Sequence, residues 1–134
     1  MLDKLQAVHS IELPMTRLGD YGGQFEDSFK AVHAPHQVHP VVTVNPETGK
    51  KALFVSECST TRIVDVPGTI SRHLLAMLIE HIRSPDFALR WRWSPGDVAL
   101  WDNRTVQHYA VPDYTGGRVM QRIVIKGDRP VAAS

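Results

Sequence analysis

Phe87-Ala88-Leu89-Arg90-Trp91-Arg92-Trp93 alternates large apolar and small or charged residues without a break, and Ser94-Pro95-Gly96-Asp97 follows it directly. A period of two is the signature of a strand with one buried and one wet face. Phe87, Leu89, Trp91 and Trp93 are therefore expected toward a core, with Arg90 and Arg92 toward water. The Pro-Gly turn that closes the run fixes the architecture as one of short strands joined by tight turns.

The same punctuation recurs along the chain. Val38, Val41, Val42 and Val44 are β-branched and run into Asn45-Pro46-Glu47-Thr48-Gly49, a strong turn sequence, so strands are expected on either side, the second over 51–56. Val98 to Trp101, Thr105 to Ala110 and Arg118 to Lys126 read as three further strands, the last two flanking a loop with Pro112 and Gly116-Gly117. One helix interrupts them. Over 67–83, Ile70, Leu74, Leu75, Leu78 and Ile82 recur at steps of three or four and form an apolar stripe, which Ser84-Pro85 ends. Residues 1–10 read as the tail of a helix, 13–23 as turn-rich, and 24–33 as a short helical pattern bounded by Pro35. About six strands and one helix predict a mainly β fold with helix, an antiparallel sandwich or jelly roll in one domain over 1–134.

Composition excludes several function classes. Fifteen basic against 14 acidic residues leave a net charge of +1, too little to hold a polyanion by bulk charge, so no nucleic-acid partner is expected. The longest apolar run, Leu74 to Ile79, is far short of a membrane span, and the first ten residues lack a secretory pattern. A single cysteine, Cys58, allows no internal disulfide and points to a reducing cytoplasm. No glycine-rich phosphate loop, His-Glu-x-x-His or Gly-x-Ser-x-Gly motif occurs. Asn103-Arg104-Thr105 has the form of a glycosylation sequon but carries no weight without a secretion signal.

Six of the seven histidines divide by context. His73 and His81 lie on the helix, and a structural role suffices for them. His33, His36 and His39 recur every third residue, but prolines interrupt the run and no carboxylate or cysteine lies within it. His108 stands apart. If the following loop is centred near Asp113, an antiparallel register sets Arg118 across from His108 with Cβ atoms about 5 Å apart. Arg122 then shares that face by period two, while Val119, Ile123 and Ile125 take the other. Alternation alone favours a polar outer face over an apolar core, ahead of a basic pocket that grips a carboxylate or sulfonate through the arginine fork.

Trp101-Asp102-Asn103-Arg104-Thr105-Val106-Gln107-His108-Tyr109-Ala110, with Arg118 and Arg122 behind it, resembles the C-terminal motif of the taurine dioxygenase (TauD/TfdA) family of Fe(II)/2-oxoglutarate oxygenases. His39-Pro40-Val41-Val42, Lys51-Ala52-Leu53-Phe54-Val55, Thr60-Thr61-Arg62-Ile63-Val64 and Arg90 to Asp97 are similar to the same family in the same order, covering about 37–130. The resemblance implies part of a double-stranded β-helix, with His108 as the C-terminal histidine ligand of iron. It implies Arg118 at the distal carboxylate of 2-oxoglutarate and Arg122 at the anionic head group of a small organic sulfonate, sulfate ester or carboxylate.

Two departures qualify this expectation. A non-haem Fe(II) site of this type uses two histidines and one carboxylate. The family supplies the other pair as His-x-Asp, and neither His-x-Asp nor His-x-Glu occurs in these residues. Ser59 stands where taurine dioxygenase has a phenylalanine against the substrate, which implies a different or larger substrate. The expectation is a C-terminal portion of an oxygenase, a homo-oligomer or a chain that pairs with an upstream segment. Its alternative is a non-catalytic anion-binding remnant.

Overall fold

The computed structural model describes residues 1–10, 36–111, 113, 115–117 and 119–133. The expectations for 13–23 and 24–33, His33, and Arg118 lie outside the described residues. A 3-10 turn, Leu2–Lys4, leads into β1 (Gln6–His9). Strands β2 (Gln37–Pro40), β3 (Val42–Val44), β4 (Lys51–Leu53) and β5 (Thr60–Ile63) precede α1 (Gly68–Ile82), and β6 (Val131–Ala132) comes last. They form two three-stranded antiparallel sheets, ordered β2-β1-β5 and β4-β3-β6.

Residues 1–10 are thus a turn and a strand, not the tail of a helix. Ala7 and Val8 are adjacent and both buried, because β1 is the central strand of its sheet and is covered on both faces. Such a strand shows no alternation in sequence.

Val41 joins the two sheets. Its amide donates to the Leu5 carbonyl at 2.9 Å beside the first sheet, and its own carbonyl accepts from the Phe54 amide at 2.8 Å beside the second. The valine run 38–44 is therefore one extended segment bent at a fully buried residue. The turn that follows is built as its composition predicts. The Asn45 side-chain oxygen accepts from the Glu47 and Thr48 amides, each at 3.0 Å, and Gly49 closes the turn at φ +67°, where a side chain would be strained.

Helix α1 lies within the expected 67–83 and packs on β5. Ser71, Leu75 and Leu78 are its buried face, and the two leucines join Ala7, Val41, Val42, Val55, Ile63 and Ala133 in the core. Ile70, expected in the stripe, is exposed. The buried Ser71 hydroxyl accepts from the Ile63 amide at 2.8 Å, which ties helix to sheet by a hydrogen bond as well as by packing.

The second half departs from expectation. Among the described residues no strand forms over 87–93, 98–101, 105–110 or 119–126, although Pro95 and Gly96 do form the turn. Trp91 and Trp93, expected in a core, are 55% and 38% exposed, and Leu100 and Ile123 are about nine-tenths exposed. An alternating sequence becomes a strand only where a neighbour takes its backbone donors and acceptors. Among the described residues, no strand pairs with these segments.

Candidate functional site

The residues around His108 are held by side chains. Asp102 and Arg104 lie at the start of the segment, and both reach the β3–β4 hairpin. Arg104 Nε donates to Asp102 Oδ1 at 2.9 Å, and its Nη2 donates to Asp102 Oδ2 at 2.8 Å. The same guanidinium donates to both oxygens of Glu47 in the hairpin turn, Nη2 to Oε2 at 2.6 Å and Nη1 to Oε1 at 3.3 Å. The Asn45 side-chain amide donates to Asp102 Oδ2 at 3.2 Å. Hydrogen bonds from Arg104 hold the Asp102 carboxyl below its usual range, and Asp102, then Glu47, raise the affinity of Arg104 for its proton. One planar fork thus spans two carboxylates.

Further along, the Gln107 side-chain amide donates to the Val55 carbonyl just beyond β4. The His108 ring is exposed and leans on Trp101, centroids 4.7 Å apart at 56°. Arg122 is exposed too, and no hydrogen bond or ion pair links it to His108 among the described residues. The register that would set Arg118 across from His108 involves a residue outside those described.

A second cluster surrounds β1. The rings of His9, His39 and Phe54 meet mutually, with centroids 5.3 Å apart for His9 and His39 and 5.5 Å for each with Phe54. His9 Nδ1 lies 3.3 Å from the Thr60 hydroxyl and 3.5 Å from that of Ser59, while Nε2 is buried with no hydrogen-bond partner among the described residues. Burial first, and the neighbouring His39 second, lower the His9 pKa to about 4. His39 is lowered by burial and by Arg129. These rings sit neutral near pH 7.

Iron is the group the motif implies, and the described residues do not fit it by themselves. Among them no group of three histidine, cysteine, aspartate or glutamate side chains could hold a metal ion. His108 supplies one exposed imidazole where a mononuclear Fe(II) site needs three ligands. A cavity of about 240 Å³ does open beside the clamp, lined by Asn45, Phe54, Arg104, Asp128 and Arg129 among others. Of its charged lining, Arg104 is already engaged by Asp102 and Glu47.

Alternation and spacing singled out His108 and Arg122 but missed Asn45, Glu47, Asp102, Arg104 and Gln107 as the frame that carries His108. The signal available was opposite charge in two turn-forming tracts, Asn45 to Gly49 and Asp102 to Arg104. No local pattern pairs His9 with Ser59, 50 residues apart.

Comparison with known proteins covers most of the chain. A family model described as taurine catabolism dioxygenase TauD, TfdA family matches residues 1–124. An alpha-ketoglutarate-dependent sulfate ester dioxygenase of Pseudomonas putida is 38% identical over 98% of this chain and 45% of its own length. An alkylsulfatase of Acinetobacter baylyi is 40% identical over 94% of this chain and 41% of its own. A taurine dioxygenase crystal structure from Burkholderia xenovorans superposes with a TM-score of 0.54 at 32% identity, covering 71% of this chain and 27% of that one. The chain therefore spans less than half the length of the curated relatives it matches.

Proposed function

Because the chain belongs to the TauD/TfdA dioxygenase family, we propose that it is the C-terminal portion of an Fe(II)/2-oxoglutarate-dependent dioxygenase acting on a small anionic organic substrate. The observation that carries this reading is the family match over residues 1–124, which includes the segment bearing His108. His108 is one iron ligand, Arg118 pairs with the distal carboxylate of 2-oxoglutarate, and Arg122 holds the substrate's anionic group. A sulfate ester is the favoured substrate class, supported by the names of the bacterial relatives. Bound iron and 2-oxoglutarate would supply the oxidising chemistry; the two arginines would bind and orient the acids through planar, two-pronged donor sets.

The remaining iron ligands come from a segment equivalent to the part of the relatives that this chain does not span. That segment also covers the apolar side chains of 88–126. Trp91, Leu100 and Ile123 are exposed, and the expected strands become ordered when a jelly-roll neighbour completes their ladders. A cytoplasmic setting suits the exposed thiol of Cys58. No helix among the described residues is long and apolar enough to cross a membrane.

The test is complementation. The chain is mixed or fused with a family segment that carries His-x-Asp, then titrated anaerobically with Fe(II) and 2-oxoglutarate. The visible band of iron-chelated 2-oxoglutarate is expected from the pair and not from the chain alone, and His108→Ala should abolish it. A band that survives His108→Ala defeats the ligand assignment. Anion binding without any band favours the non-catalytic remnant, and sedimentation showing only a self-paired dimer defeats the complementing segment as occupant.

A further inference from the structure

The segment 101–110 lacks a strand ladder among the described residues, so its place is set by side chains. Those contacts converge on one hairpin. Asn45 opens its turn, Glu47 lies within the turn, and Val55 follows its second strand. Arg104 grips Glu47 through two donors while binding Asp102 on its own segment. Gln107, next to His108, is spent on the Val55 carbonyl. Among the described residues His108 itself makes no hydrogen bond, and its ring packs against that of Trp101.

A ligating histidine usually takes its orientation from a hydrogen bond at its second ring nitrogen. His108 lacks that restraint in the described structure, so its direction depends on the backbone and on Trp101. We infer that Glu47, Arg104 and Gln107 are positioning residues, which fix the segment on the hairpin at two points and thereby aim the His108 ring. Arg104 fixes it four residues before the ring, and Gln107 one residue before. The planar guanidinium suits this task because it resists rotation between two carboxylates, as a lysine would not. Exposed ion pairs contribute little to global stability. The effect of breaking this one is therefore local, on the geometry of His108.

The purpose assigned to the clamp rests on the reading of His108 as an iron ligand, but its test does not. In the full chain, NMR measures the NOE between the Trp101 indole and the His108 ring, together with the ring-current displacement of the His108 carbon-bound protons. Glu47→Ala removes the distal anchor without touching 101–108, and Arg104→Gln removes the fork. Both are expected to lose the NOE and the displacement while the cross-strand NOEs of Ala7 with His39 persist. Arg104→Lys should recover only part of the signal. Unchanged Trp101–His108 signals in Glu47→Ala overturn the inference. Loss of the Ala7–His39 signals in that variant overturns it as well, since the role would then be structural. If the clamp passes but His108→Ala leaves iron uptake of the complemented domain intact, it is the ligand assignment that falls.

Discussion

His9 and His39 stand on neighbouring antiparallel strands with their rings 5.3 Å apart and nearly edge to face, and both are held neutral by their burial. A proton added to either ring enters a partly closed apolar site already bounded by the other ring and by Phe54. Strand pairing and proton affinity are therefore linked.

The sign of that linkage is fixed by the direction of the shift. In the unfolded chain His9 titrates near 6.5, and in the fold near 4, so between those values the unfolded state binds the extra proton. Stability is complete above about 6.5 and falls as pH drops through this window, with His39 acting in the same direction. The ring is partly open to solvent, so the loss is about 1–2 kcal/mol after screening. Urea unfolding at pH 7 and pH 4.5 measures it. His9→Gln, which cannot titrate, should flatten the difference, and an equally steep pH dependence in that variant would refute the assignment.

Ser71 supplies the second expectation. Its hydroxyl is the acceptor for the buried Ile63 amide, and alanine leaves that donor without a partner. A loss of about 1–3 kcal/mol is expected in denaturant midpoint. Threonine retains the acceptor and should recover part of it.

The helix also offers an internal control for its buried face. Leu78→Ala opens a hole against the sheet and should cost about 2–5 kcal/mol. Ile70 belongs to the same sequence stripe but is 58% exposed, so Ile70→Ala should cost much less. Equal losses in the two thermal melts would mean that the helix is rotated from its observed seat.

What the sequence made legible follows from the range of the interactions involved. The 45–49 turn and α1 were readable because their causes are local: an asparagine accepting from the next amides, and apolar residues one turn apart. Strand β1 was not, because Ala7 and Val8 are buried by strands that arrive from residues 37–40 and 60–63. Alternation over 87–93 marked a strand that finds no ladder partner among the described residues. At the site, motif resemblance reached His108, whereas the Glu47–Arg104 clamp links residues 57 apart and has no local signature.

The arginines give the sharpest separation of roles. In the complemented protein, Arg118→Gln removes a charge-assisted pair to 2-oxoglutarate, a loss of roughly 1.5–3 kcal/mol, so its apparent affinity should fall about ten- to a hundredfold. Arg122→Gln should weaken the anionic substrate by a similar factor and leave uncoupled 2-oxoglutarate decarboxylation largely intact. Lysine at either position should rescue incompletely, since a point charge cannot engage two oxygens in one plane. Steady-state kinetics with each reactant varied in turn separates the two constants. Were both constants unchanged in both variants, Arg118 and Arg122 would be surface residues, and the polar outer face over an apolar core would be the correct reading of that stretch of chain.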